Sequence, residues 1–227
     1  MFIFDPAYFI YIMPALILAM WAQAKVSGAF KKYSQVASRR GFTGAQVARR
    51  ILDNAGVRET SVESTHGELT DHYDPRSRTV RLSRGVYASS SLAALGVAAH
   101  EAGHALQHQE GYLWLGLRNT IIPLTQFGSQ MAFPLFFIGI LAQLEFLMTL
   151  GILFFSAAVV FQLVTLPVEY NASARAMRLL EAEGFVDPEE VGPTRAVLSA
   201  AALTYLAAAL MAVMQLLYLL ALRGRRS

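Results

Sequence analysis

The sequence predicts a mainly α-helical membrane protein, with four transmembrane helices and a small α+β domain between the first and second. Three observations predict it: the composition, the length of the apolar blocks, and a polar segment that mixes helical and strand-like periodicity. Hydrophobic residues make up 55% of the 227, and only 15% are charged, against roughly 25% in a typical soluble domain. A soluble chain of this size rarely needs four nearly uncharged stretches of spanning length. The absence of cysteine excludes disulfides, thiolate metal sites and a cysteine nucleophile. The modest net charge of +3 gives no case for a nucleic-acid partner. The lipid bilayer is the first partner the composition implies.

Phe2 to Ala22 is long enough to cross a hydrocarbon core of about 30 Å at 1.5 Å per residue. It lacks a basic start and its apolar run is longer than about 15 residues, so it reads as an anchor and not a cleaved signal. Ile121 to Val168 has Glu145 as its only charge and is about twice one span. It therefore divides into two helices joined by a tight turn around Gln143–Glu145. Ala196 to Leu222 forms the fourth span. The expected organisation is a first span at 1–22, a site-bearing segment at 23–117, a helical hairpin at 118–168, a helix and loop at 169–195, a fourth span at 196–222 and a basic tail at 223–227.

Because the middle spans form a hairpin, both polar segments emerge on one membrane face. That face carries Lys25, Lys31, Lys32, Arg39, Arg40 and Arg118 near span ends, with Arg175, Arg178 and Arg195. The balance of Lys and Arg places it in the cytoplasm of a multi-pass cell-membrane protein. Arg223, Arg225 and Arg226 argue the other way.

Within the polar segment, Thr43 to Ala55 reads as a helix, capped by Thr43 with Gln46 three residues on and ended by Gly56. Val47, Ile51 and Leu52 form its core stripe. Alternating runs at Ser61–Thr65 and Thr79–Ser83 flank a turn at "DPRS" and suggest a small antiparallel sheet. Ser89–Ser91 then start a helix that runs to about Gln109, with Gly111 as its stop.

That helix carries the chemistry. His100 and His104 lie four residues apart, hence on one helical face and able to bind one ion. Glu101 sits beside them, placed to take a proton from a water on that ion. His-Glu-x-x-His on a helix is the zinc-hydrolase arrangement, and a small sheet before it makes the segment zincin-like. Small neighbours at Ala98, Ala99, Ala102, Gly103 and Ala105 let the helix pack closely on others.

A catalytic zinc takes three protein ligands. His108 lies about 12 Å beyond His100 along the helix and cannot join the same ion. A glycine-turn site would need glycine at position 107 and histidine at 110, where the chain has Gln107 and Glu110. Glu145 is on the far side of the bilayer, and Glu110 is too close along the same helix. Glu169 follows directly on the third span, where a carboxylate is costly unless paired or metal-bound. Glu181, Glu183, Glu189 and Glu190 read as solvated helix charges.

"VAAHEAGHALQ", "LPVEYNASARA" and "TDHYDPRSRTVRLS" together resemble the YugP-type neutral zinc metallopeptidases, a family of bacterial membrane proteases. The likeness runs over nearly the whole chain. More distantly, "EYNASARA" resembles the Glu-x-x-x-Asp helix of gluzincins such as HtpX and the CAAX prenyl proteases. That resemblance implies Glu169 as third zinc ligand, one zinc per chain, and Glu101 as general base. The carboxylate that orients a ligand histidine in that pattern is replaced here by Ser173, which leaves Asn171, Asp71 and Asp74 as further candidates. The resemblance also offers His72 and Tyr73 as oxyanion or substrate contacts, against a plain role in turn and sheet packing. Arg175 stands between an oxyanion role and that of a membrane-surface arginine. An edge strand of the preceding sheet is a candidate for pairing with an extended substrate.

The expected function is a zinc endopeptidase acting on membrane or membrane-proximal peptide substrates. Two alternatives remain: a prenyl-peptide or small-peptide processing protease, and a metal-binding membrane protein in transport or assembly. Glu101 separates hydrolysis from binding, since a pure binding site needs no carboxylate between its two histidines.

Overall fold

The computed structural model describes residues 6–225; Phe2–Asp5 of the first expected span and Arg226 of the basic tail lie outside the described residues. The protein is mainly helical, with a three-stranded sheet near the start. In order along the chain are α1 (Pro6–Tyr33), α2 (Gly44–Asn54), β1 (Ser61–Thr65), β2 (His72–Asp74), β3 (Thr79–Ser83) and α3 (Arg84–Tyr87). They are followed by α4 (Leu92–Gln109), α5 (Leu113–Ala142), α6 (Glu145–Ala182) and α7 (Pro188–Gly224).

Helices α1, α5, α6 and α7 are each long and apolar enough to cross a membrane. Large apolar side chains such as Ile10, Leu124, Phe146 and Leu153 stay exposed on them, as expected of surfaces that face lipid tails and not water. Together these features fit a membrane protein.

The chain divides into two compact units. The first comprises α1 up to Gln23, Gly116–Pro167, and α7 from Thr204. Its core joins Phe136 and Ile140 of α5 to Met148, Ile152 and Phe155 of α6 and Leu219 of α7. The α5–α6 turn is tight because Gln143 takes a left-handed φ of 57°. Beyond it the two helices approach within backbone contact. A Cβ on Gly139 would lie 2.6 Å from Met148 N, and one on Gly151 2.6 Å from Ala132 O. Where hydrophobic burial offers little advantage, small residues allow the close packing that holds helices together.

The second unit comprises Ala24–Leu115 and Val168–Leu203. Thr43 caps α2 with a full capping box: its hydroxyl accepts from Gln46 N–H at 3.3 Å, and Gln46 Oε1 accepts from Thr43 N–H at 2.9 Å. Val47, Ile51 and Leu52 pack into the core beneath α4 and the sheet. Buried Glu190 of α7 accepts from Arg39 N–H at 2.8 Å and Asp187 N–H at 2.9 Å, tying the loop before α2 to the start of α7.

The sheet differs from the expected antiparallel pair. Its order is β1-β3-β2; β1 runs parallel to β3, and only β2 pairs with β3 antiparallel. The "DPRS" turn belongs to the β2–β3 hairpin, so β1 reaches the other side of β3 by a longer connection. The reason lies in β3, whose Thr79, Val80, Leu82 and Ser83 are all buried. A strand covered to this degree takes neighbours on both sides, and β2 is left as an edge.

Replacing Gly151 by alanine should destabilise the protein by about 1–3 kcal/mol, since the added methyl meets backbone that cannot yield. Gly28→Ala, with nothing within 4 Å of the new carbon, should be neutral or stabilising by up to about 1 kcal/mol. Denaturant titration in detergent distinguishes the two, and equal shifts would remove the close-packing account.

Candidate metal centre

Helix α4 starts at Ser91, whose hydroxyl accepts from Ala94 N–H at 3.2 Å. It stops at Gly111, where φ is 65° and Tyr112 N–H reaches back to Gln107 O at 2.9 Å. Between these ends most of its residues are buried, and many of those are alanine or glycine. Gly103 lies so near α6 that a Cβ there would stand 3.0 Å from Ala172 O. This contact brings the third expected ligand within reach of the other two.

His100 and His104 present their rings edge to face, with centroids 4.7 Å apart. Glu169 of α6, 4% exposed, places Oε2 3.2 Å from His100 Nε2 and 3.5 Å from His104 Nε2. One ligand atom from each of the three lies within 4.8 Å of the others. Two ligands each about 2.0–2.1 Å from a tetrahedral ion stand roughly 3.3–3.4 Å apart, and the two Glu169 separations, 3.2 and 3.5 Å, lie on either side of that value. Two imidazoles with one carboxylate are also a donor set zinc accepts in hydrolases.

The surrounding hydrogen bonds fit the metal independently. An arginine can only donate, and Arg175 Nε donates to Asn171 Oδ1 at 2.7 Å. Gln107 Nε2 donates to that same oxygen at 2.9 Å and to Val168 O at 2.9 Å. The remaining oxygen of Gln107 faces His104 Nδ1 at 3.0 Å, so Nδ1 carries the proton. In a neutral imidazole the lone pair then sits on Nε2, pointing toward the Glu169 carboxylate. Only a cation between them, or a second proton on the ring, makes that approach favourable. His100 is held in a similar way, with Nδ1 3.1 Å from Ser173 Oγ.

Glu101 lies against this group and is itself buried. Burial pushes its carboxyl up to about 7, and the negative charge of Glu169 adds to that. His100 and the backbone N–H of Tyr73, which donates to Glu101, act in the opposite direction. Tyr73 is thus brought to the site through its main chain, on edge strand β2. Its hydroxyl is 2.7 Å from His108 Nδ1.

The other candidates fall in different places. Ser173 touches His100, and Asn171 reaches His104 through Gln107. Asp71 accepts from Ser83 N–H at 2.7 Å and from the Ser83 hydroxyl, tying the loop before β2 to the end of β3. Asp74 accepts from Arg81 at 3.0 Å within the sheet. His72 is exposed with Nδ1 2.8 Å from Thr70 O. Arg175 pairs with Glu110 at 2.7 Å as well as with Asn171, joining the end of α4 to α6.

Sequence reasoning passed over Gln107, a fully buried amide. It stood in plain view as a polar residue about one turn past His104. Gln107→Met should therefore leave helix content intact but weaken zinc binding roughly 10–100-fold. Chelator competition on the purified protein measures this, and unchanged affinity would show that His104 needs no such partner.

Residues 8–224 match the family described as "Putative neutral zinc metallopeptidase". The chain is 54% identical over 205 residues to the Bacillus subtilis (strain 168) protein named "Putative membrane protease YugP", covering 89% of this chain and 90% of that relative. No solved structure matches it. A match of this extent, over a chain whose buried histidines and glutamate converge as zinc ligands do, means that the protein belongs to the neutral zinc metallopeptidase family.

Proposed function

We propose that this protein is an integral-membrane, zinc-dependent endopeptidase that cleaves membrane or membrane-proximal polypeptides. The observation that carries this reading is Glu101. A site made only to hold or pass a metal is complete with His100, His104 and Glu169, yet a fourth buried group stands beside them with no part in the ligand set. His100, His104 and Glu169 would hold the zinc, which when bound would supply Lewis acidity to acidify a water and polarise a peptide carbonyl. The carboxylate of Glu101 takes the proton of the attacking water and hands it to the leaving amide nitrogen. Gln107 and Ser173 hold the two imidazoles by their outer nitrogens, so the inner nitrogens stay aimed at the ion. Edge strand β2 offers main-chain groups to an extended substrate.

This mechanism expects Glu101→Gln to retain one zinc per chain and to lose about 10²–10⁴-fold in peptidase rate. Metal content and product analysis against membrane-protein substrates are the measurements, and retained hydrolysis would defeat the general-base role. Glu169→Ala should lose the zinc itself; full occupancy would remove it from the ligand set.

The Lys and Arg balance puts the site on the cytoplasmic face. Ser64 is exposed on β1, and the chain has no cysteine of its own. A Ser64→Cys variant should resist membrane-impermeant thiol reagents in intact cells and react after lysis. Ready labelling of intact cells would reverse the orientation.

A further inference from the structure

After the turn at residues 183–187, α7 runs back beside α6, and an open groove of about 620 Å³ lies between them. Its walls are graded. Arg178, Glu181 and Arg195 stand at the end near the turn, and Ala174, Leu198 and Ala202 line the stretch beyond. At 1.5 Å per residue the groove follows the two helices for about 12–16 Å. Past its apolar end each helix enters a long uncharged stretch, back to Glu145 in α6 and on to Arg223 in α7 once Glu169 and Arg195 are passed. Its charged end points the opposite way along both helices.

The charges at the mouth do not cancel. Arg195 pairs with Glu181 at 3.1 Å. Arg178 is exposed and makes no hydrogen bond or ion pair among the described residues. One positive charge is therefore in surplus at the polar end of an otherwise apolar slot.

We infer that this groove binds an anionic phospholipid, its phosphate on Arg178 within reach of Arg195 and an acyl chain along Ala174, Leu198 and Ala202. Each feature selects the occupant. A free phosphate uses the charged end and leaves the apolar wall in water. An acidic peptide also has no use for an apolar slot that leads toward the uncharged stretches. A zwitterionic lipid brings its own cation to Arg178 and loses the charge match. Basic pockets between membrane helices are a known setting for anionic head groups. Ser173 belongs to the same wall, so the bound lipid lies one side chain away from His100. The inference does not rest on the peptidase reading and survives its failure.

The test uses the full chain in neutral detergent, with native mass spectrometry as the readout. Phosphatidylglycerol and phosphatidylcholine of identical chains are the probes, with inorganic phosphate and a soluble acidic peptide as competitors. The expected result is preferential retention of one phosphatidylglycerol per chain that neither competitor displaces. Arg178→Glu should weaken that retention roughly tenfold or more, the worth of one charge-assisted hydrogen bond. Ala174→Trp, at an exposed position in the groove, should weaken it by filling the acyl path. Thermal unfolding without lipid shows that each variant is folded, and Arg178→Glu decides alone if the tryptophan is not tolerated. Equal retention of the two lipids, or full retention in Arg178→Glu, overturns the site. Displacement by phosphate reassigns it to a free anion, and displacement by the peptide to a polypeptide; both overturn the lipid.

Discussion

The contact between α4 and α6 at Gly103 and Ala172 is the constraint on which the rest of the site depends. The two helices approach so closely that one missing Cβ is what allows it. From that crossing, His100 and His104 lie within one turn along α4, and Glu169 lies one turn from Ala172 along α6. The three candidate ligands are therefore brought together by helix–helix packing, since all lie on α4 and α6. Ala99, Ala102 and Ala176 bury fully around the crossing, so the small residues of α4 serve the same approach.

That packing creates an electrostatic problem, which the polar groups around it answer. Glu101 and Glu169 are both buried, and each raises the cost of charging the other in an apolar setting. Two imidazoles turn their Nε2 atoms toward the Glu169 carboxylate. The hydrogen bonds around them order the group. Arg175 donates to Asn171, which accepts again from Gln107, which accepts from His104. The direction of every bond in that line is set by one arginine that cannot accept. Glu110, at the end of α4, completes the line by pairing with Arg175 and holding it in place.

Much of this was legible in the residues. The spacing of His100 and His104 needs only helical geometry. Thr43 with Gln46, and Ser91 before an apolar run, are local signals that the chain follows without tertiary help. Glu169 stood out by exclusion as a candidate third ligand, because a carboxylate at the end of an apolar span needs a reason to be there. The sheet was not readable in the same way. Strand runs were visible at Ser61–Thr65 and Thr79–Ser83, but parallel or antiparallel pairing depends on what lies on the far side of β3, and three-residue β2 is too short to announce itself. Gln107 was overlooked because its meaning lies on α6, in Val168 O and Asn171, which no periodicity connects to it. Tyr73 and His108 form a pair for the same tertiary reason.

Helix α6 explains why such a site accompanies apolar helices at all. It is assigned as one helix from Glu145 to Ala182, so the stretch that suits a bilayer and the candidate ligand Glu169 belong to the same element. Glu169, Asn171 and Ser173 lie within little more than one turn of one another on α6, so they meet α4 as a group. Each of these touches a histidine or its partner Gln107 at 2.9–3.2 Å, and such hydrogen bonds weaken steeply as they are pulled out of line. The ordering of the imidazoles thus depends on how this part of α6 seats against α4 at Gly103.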